Sequence, residues 1–403
     1  MQNKLNELLV YAYENVEYYR KQFELRNINP YKIYSMDELS NFPIIDKNDI
    51  IENEKDFCSR ELNEKIYMTE KTSGSTGIPF KVYKFKKDKM LQSVELWNHR
   101  RKFEITTLSR YCTWHIKGDD IYIDRNRLQF SAKNLSDSKL EKYAKEMYNF
   151  KPEWLFGGAE AWRILARYMV KNKMKIPKSV KFIESTGEIL RKETRKELQE
   201  IFNCEVVDMY GCIECYGLAI SCEFGELHWL ENNSIVEIVD KFGKVVEDGV
   251  EGNIVITSLC NFAMPLIRYN TGDIGYISKK SCQCDKKGKC IKLRKARKNE
   301  YIIRKNEIKM DATIFHFVIE RINRDRDINV LQFKIIQKEY KKFELYVVLQ
   351  KERQKERFEK KFFEEIKYYG FEASEWSIKS VSRIYMNQLT GKYQYFVNEM
   401  RNR

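Results

Sequence analysis

Between Trp154 and Gly211, short apolar runs that end at glycine alternate with stretches of helical periodicity. Trp154-Leu155-Phe156 closes on Gly157-Gly158, and a helix pattern runs from Ala159 to Lys171. Val180-Lys181-Phe182-Ile183-Glu184 closes on Ser185-Thr186-Gly187, and a charged helix pattern follows from Glu188 to Phe202. Glu205-Val206-Val207-Asp208-Met209 then runs into Tyr210-Gly211. Strand, turn, helix, strand is the order of a parallel α/β sheet, because a parallel partner can be reached only by a crossover. On such sheets ligands gather where strands run out into loops, which is where these glycines fall.

The flanks read differently. Residues 1–40 carry Leu5, Leu8, Leu9, Ala12, Val16 and Tyr19 at three- and four-residue spacing, a helical face that Asn29-Pro30 ends. From about residue 232 the pattern turns all-β, with Ile235–Val239 and Gly252–Thr257 on either side of a turn at Gly243. Beyond the basic stretch Lys286 to Lys298 the chain reads as strand, helix, two strands, helix, strand, a small α+β unit of a size that folds by itself. The expected fold is therefore α/β, with a large N-terminal domain over 1–297 and a small α+β C-terminal domain over 298–403. The first divides into a helical segment 1–55, an α/β core 60–230 with a parallel sheet and helices, and a β-rich part 232–297.

Composition excludes several classes. With 43% hydrophobic and 13% aromatic residues, the 403-residue chain has enough apolar surface to fold. Lys and Arg outnumber Asp and Glu by 73 to 59, a net charge of +14, but acids are interspersed with bases and no purely basic arm appears. Nucleic-acid binding is therefore not expected. No run approaches the roughly 18 apolar residues of a membrane span. Near the N-terminus Glu7 and Glu14 interrupt the apolar Leu8-Leu9-Val10. The expected location is cytoplasmic, where the ten cysteines are thiols or metal ligands rather than a disulfide framework.

Thr72-Ser73-Gly74-Ser75-Thr76-Gly77-Ile78-Pro79 is a candidate phosphate loop. Its glycines permit a tight turn that exposes backbone N–H groups, and its hydroxyls add donors for phosphate oxygens. The lysine that follows the second glycine in the common nucleotide loop is absent.

Further motifs follow in order: Ser185-Thr186-Gly187-Glu188, Asp208-Met209-Tyr210-Gly211-Cys212-Ile213-Glu214, Pro265 to Gly275 with its Arg268-Tyr269 and Thr271-Gly272-Asp273, and Gly391-Lys392. This series resembles the adenylate-forming (ANL) superfamily, and within it the phenylacetate–CoA ligase-like and capsule-biosynthesis CapK-like branch. Tyr11, Val16, Tyr18, Tyr19, Arg20 and Phe23 fit that branch's N-terminal helical segment. The resemblance spans essentially the whole chain and makes the C-terminal unit a mobile lid on an adenylate-forming domain. It implies that Thr72, Ser73, Gly74, Ser75, Thr76 and Gly77 hold the β- and γ-phosphates of ATP. Gly187 and Glu188 would border the adenine, and Tyr210 and Gly211 would pack on its ring. Glu214 would coordinate Mg²⁺, Asp273 would accept from the ribose hydroxyls with help from Arg297, and Lys392 would reach the α-phosphate and the substrate carboxylate.

The chemistry needs such a set. Joining a carboxylate to an α-phosphate brings two anions together and expels pyrophosphate, so cations must stand where negative charge develops. Lysine, a compact charge on a long stem, suits a site assembled by domain closure. Glutamate is a hard-oxygen magnesium ligand, and a short aspartate accepts from two vicinal hydroxyls. The implied activity is ATP- and Mg²⁺-dependent activation of a small carboxylic acid as acyl-adenylate, with transfer to coenzyme A or another acceptor. Alternative readings are a ligase for surface-polysaccharide modification with an amine or hydroxyl acceptor, and a nucleotide-binding protein that no longer catalyses.

Cys222 with His228, and Cys282 with Cys284, resemble paired ligand sites of the same branch. Three thiolates and an imidazole would make a closed tetrahedral Zn²⁺ site of structural type, with Cys290 as a spare ligand. The other reading is free thiols in a reducing compartment.

Overall fold

The computed structural model describes residues 2–32, 34–35, 37–62, 67–71, 81–115, 120–132, 135–284, 288–294, 301–304, 309–312, 314–323, 325, 327–385 and 393–402. The chain forms two compact units, residues 1–131 with 136–294, and residues 132–135 with 295–403.

The first unit is built on one sheet of 12 strands. Its parallel part runs Arg127–Ser131, Tyr111–His115, Trp154–Gly157, Phe182–Thr186, Glu205–Cys212. The helices Asp137–Phe150, Ala159–Lys171 and Lys192–Phe202 are interleaved with these strands in the chain. The first buries Leu140, Tyr143, Ala144 and Met147, the stripe its sequence spacing gives. Phe182 to Ser185 are all buried, as a strand covered on both faces requires.

At Glu205–Cys212 the sheet changes character. Tyr216–Ser221 returns antiparallel from a turn at Ile213–Cys215, and the sheet continues antiparallel through Leu227–Trp229, Cys290–Leu293, Tyr269–Ile277, Gly252–Ser258 and Ser234–Val239. The expected parallel core and all-β part are thus two halves of one sheet. The motif strand lies at their junction.

The N-terminal helical segment is two helices, Gln2–Asn15 and Glu17–Leu25, broken at Val16, whose extended backbone bridges to Ser59. They bury Leu5, Leu8, Leu9, Ala12, Tyr19 and Phe23 in a core shared with the antiparallel half of the sheet. The helix expected from Glu188 starts at Lys192, because Gly187 adopts φ +81° and Glu188 is drawn to a neighbouring helix.

The second unit has a four-stranded sheet in the order Glu375–Ser380, Lys342–Leu349, Val330–Glu339, Phe396–Asn398, with helices Ile314–Ile322 and Lys355–Lys367. Phe315, Phe343, Phe358, Phe362, Phe371 and Phe396 fill its core. A separate pair, Tyr301–Ile303 with Lys309–Asp311, completes it. Among the described residues no helix is long and apolar enough to cross a membrane.

Candidate functional site

The site is assembled around the turn that ends the strand Glu205–Cys212. Gly211 has to be glycine: a Cβ there would lie 2.1 Å from the carbonyl oxygen of Tyr216 on the returning strand. Tyr216 in turn takes φ +64°, a left-handed conformation costly for an aromatic residue. The close backbone approach forces the turn out of register and presents Tyr210 and Glu214 beside it.

Each of these two residues is met by a side chain from Tyr269–Ile277. The Tyr210 hydroxyl donates to Asp273 Oδ2 at 2.9 Å. The Tyr269 hydroxyl donates to Glu214 Oε1 at 2.9 Å. Burial, reinforced by the adjacent carboxylate, drives both phenol pKa values far up, so both hydroxyls stay protonated donors. Asp273 is held by a local turn in which Asn270 Oδ1 accepts from Gly272 N and Thr271 Oγ1 accepts from Asp273 N. Gly272 is required there by its φ of +77°, not by crowding, since nothing lies within 4 Å of where a Cβ would stand.

Lys47 adds a cation. Burial pulls its ammonium pKa below the usual value while the Glu214 charge pulls the other way. Its segment is fixed beside the site because Ile45 exchanges backbone hydrogen bonds with Arg268 and Asn270. Arg268 is buried, adopts φ +53°, pairs with Glu237 at 3.0 Å and donates to the Phe42 carbonyl. It knits the N-terminal segment to the sheet and leaves Tyr269 to face Glu214.

Gly187 and Glu188 follow the end of Phe182–Thr186. Glu188 Oε1 accepts the Glu160 N–H at 2.7 Å, capping the first turn of Ala159–Lys171, where a carboxylate also meets the positive helix end. Glycine at 158 makes room, since a Cβ there would sit 3.1 Å from the same oxygen.

The hydroxyl-rich loop joins two strands, Tyr67–Lys71 and Lys81–Phe85, paired antiparallel with Lys71 opposite Lys81. Thr72, Ser73, Gly74, Ser75, Thr76 and Gly77, together with Arg297 and Lys392, lie outside the described residues. The structure therefore joins Tyr210 to Asp273 and leads the chain from Gly211 into the turn bearing Glu214.

Sequence reading missed Tyr269, Lys47 and Lys84 as members of this neighbourhood. Lys84 is fully buried and its Nζ donates to the Ile213 carbonyl at 2.6 Å. Its signal was the strand alternation, which turns Val82 and Lys84 inward together.

Glu214, 9% exposed with a hard carboxylate oxygen, has the chemistry of a magnesium ligand. The thiol cluster fits zinc more fully. The ligand atoms of Cys222, His228, Cys282 and Cys284 all lie within 4.8 Å of one another. Cys222 Sγ is 3.5 Å from Cys282 Sγ, and Cys284 Sγ is 3.2 Å from His228 Nε2. Tetrahedral zinc bonds imply spacings of about 3.6–3.8 Å, so only a small adjustment is needed. Cys290, opposite His228 in the sheet, stands 3.8 Å from both ring nitrogens and lies outside that group of four.

No family model matches the chain. Phenylacetate-coenzyme A ligase of Aromatoleum evansii is 27% identical over 288 residues, 66% of this chain and 62% of that protein. Protein CapK of Staphylococcus aureus is 23% identical over 286 residues, 67% of this chain and 61% of its own length. The chain thus spans less than two thirds of these curated relatives. A crystal structure of 2-hydroxyisobutyryl-CoA ligase, in the postadenylation state in complex with R3-HIB-AMP, matches with a TM-score of 0.78 at 14% identity. That match covers 100% of this chain and 89% of the other, a likeness of fold. Motif order, fold and these relatives agree: the chain is similar in sequence to phenylacetate-coenzyme A ligases and to CapK, and in fold to a CoA ligase.

Proposed function

We propose that the chain activates a small carboxylic acid with ATP as its acyl-adenylate and passes the acyl group to coenzyme A. A carboxylate oxygen attacks the α-phosphorus and pyrophosphate leaves. A thiol then attacks the acyl carbon and AMP leaves. The observation that carries this reading is the double pairing at the motif turn, Tyr210 with Asp273 and Tyr269 with Glu214, which ties together motifs 63 and 55 residues apart.

In this reading Asp273 turns its carboxylate from Tyr210 to the ribose hydroxyls, and the Tyr210 ring and the Gly211 backbone lie against the adenine. Gly187 borders that base. Glu188, anchored on its helix, fixes the turn that does so. Glu214 would hold Mg²⁺, which would offset the phosphate charge, and Tyr269 keeps the Glu214 carboxylate oriented. Thr72 to Gly77 cradle the β- and γ-phosphates, Arg297 assists at the ribose, and Lys392 approaches the α-phosphate. Zn²⁺ held by Cys222, His228, Cys282 and Cys284 would be structural, tying the hairpin Tyr216–Trp229 to the segment before Cys290–Leu293. The solved 2-hydroxyisobutyryl-CoA ligase complexes carry acyl-AMP and coenzyme A, which favours the thiol acceptor over an amine or hydroxyl.

A panel of small aliphatic and aryl acids in ATP–pyrophosphate exchange tests the reading, with thioester formation followed in the presence and absence of coenzyme A. Exchange promoted by one acid class, with thioester appearing only with coenzyme A, is expected. Exchange promoted by no acid contradicts the adenylation step.

A further inference from the structure

We infer that Lys84 is a positioning residue that fixes the turn carrying Glu214 against the hairpin Tyr67–Phe85, and so sets the Glu214 carboxylate for the metal–nucleotide complex. The inference rests on the nucleotide reading above.

Lys84 has no exposed side-chain surface, an uncommon state for an ammonium group. A buried charge persists only when paired and hydrogen-bonded. Lys84 Nζ has two partners from two places: Glu70 Oε2 at 2.8 Å, diagonal to it across the hairpin, and the Ile213 carbonyl at 2.6 Å. Ile213 is the residue before Glu214. Lys89, in the helix Lys86–Arg100 that continues directly from the hairpin, holds the other Glu70 oxygen. Burial pushes the Glu70 carboxyl pKa up, but the Lys84 and Lys89 charges outweigh it and hold it below the usual carboxylate range. Hairpin and turn therefore meet on one ammonium, and the helix joins them through Glu70.

Packing alone does not call for this arrangement, because an apolar side chain of similar volume fills such a space as well or better. What lysine adds is direction. A two-stranded hairpin is marginal by itself and takes its place from what it docks on. The charge-assisted bond to Ile213 docks it on the backbone that leads into Glu214. Supporting partners of this kind typically govern metal affinity by about 10–100-fold.

The test compares the native chain with Lys84→Met, which keeps the volume and loses the ammonium, and Lys84→Arg, which restores a cationic donor. Mn²⁺ binding in the presence of a non-hydrolysable ATP analogue, followed by electron paramagnetic resonance, reads the site without turnover. Exchange kinetics give KM for ATP and for the acid separately. Lys84→Met is expected to weaken Mn²⁺–nucleotide binding about tenfold or more and to raise KM for ATP alike, with KM for the acid within twofold and partial recovery in Lys84→Arg. If Lys84→Met does not fold, Glu70→Gln, which removes the ammonium's counter-charge but leaves its bond to Ile213, is expected to move the same two readouts in the same direction. Mn²⁺ binding within twofold of native in a folded variant overturns the inference, and so does an equal rise in both KM values. A native chain that binds no nucleotide overturns the nucleotide reading and this inference with it.

Discussion

The Tyr210 hydroxyl donates to the Asp273 carboxylate at 2.9 Å, across 63 residues of sequence. The bond brings the end of the parallel half of the sheet to a strand of its antiparallel half. It also gives the two residues separable roles. Asp273→Ala is expected to weaken ATP binding about 10–100-fold, as loss of a charged acceptor for two hydroxyls implies. Tyr210→Phe, which keeps the ring, is expected to stay within a few-fold of native, while Tyr210→Ala loses about tenfold or more. Titration calorimetry with ATP checks all three. Equal losses in the Phe and Ala variants would contradict the ring's assigned role.

Arg100 and Glu184 form a buried bidentate pair with bonds of 2.8 and 2.6 Å, the guanidinium lying between Trp97 and Trp154. Arg100→Met strands the carboxylate in the centre of the sheet and is expected to cost about 3–5 kcal/mol. Urea unfolding followed by tryptophan fluorescence measures it. A loss below about 1 kcal/mol would mean that the carboxylate finds water or a proton.

Metal analysis of the purified chain is expected to give one zinc per molecule. Cys284→Ser is expected to lose it, whereas Cys290→Ser keeps it, because Cys290 stands outside the group of four. Retention by the first variant and loss by the second would exchange the two residues' roles.

Burial raises the Asp208 carboxyl pKa to about 7, with Arg195 opposing the shift. The folded chain therefore holds this proton more tightly than the unfolded one, whose carboxyl titrates near about 4. The contribution to stability is complete below about pH 4 and is lost as pH rises through about 7. Asp208→Asn should gain melting temperature relative to native as pH rises from 5 to 8, read by differential scanning calorimetry. A difference that stays constant over this range would place the carboxyl in an ordinary environment.

Much of this architecture is legible in the sequence. Glycine-closed runs fixed the parallel strands because tight turns leave few residues able to follow them, and Ala159–Lys171 was bounded correctly by Gly158 and its apolar stripe. The helix start at Lys192 was not legible, because Glu188 is claimed by the Glu160 amide, a long-range capping bond that local propensity does not register. For the same reason nothing local in the sequence beyond the strand alternation marks Lys84 as buried. Its burial depends on Glu70 and on the Ile213 carbonyl 129 residues away. Tyr210, Glu214, Tyr269 and Asp273 are visible as a motif series, but the pairing of Tyr210 with Asp273 and of Tyr269 with Glu214 becomes evident only when the strands are placed.

The fate of the acid's oxygen tests the central claim most directly. An acid that promotes exchange, labelled with ¹⁸O in its carboxylate, is incubated with ATP, Mg²⁺ and coenzyme A, and the products are resolved by mass spectrometry. Attack of the carboxylate on the α-phosphorus places one ¹⁸O in AMP and none in pyrophosphate. Label in inorganic phosphate, or unlabelled AMP alongside thioester, would contradict the adenylate.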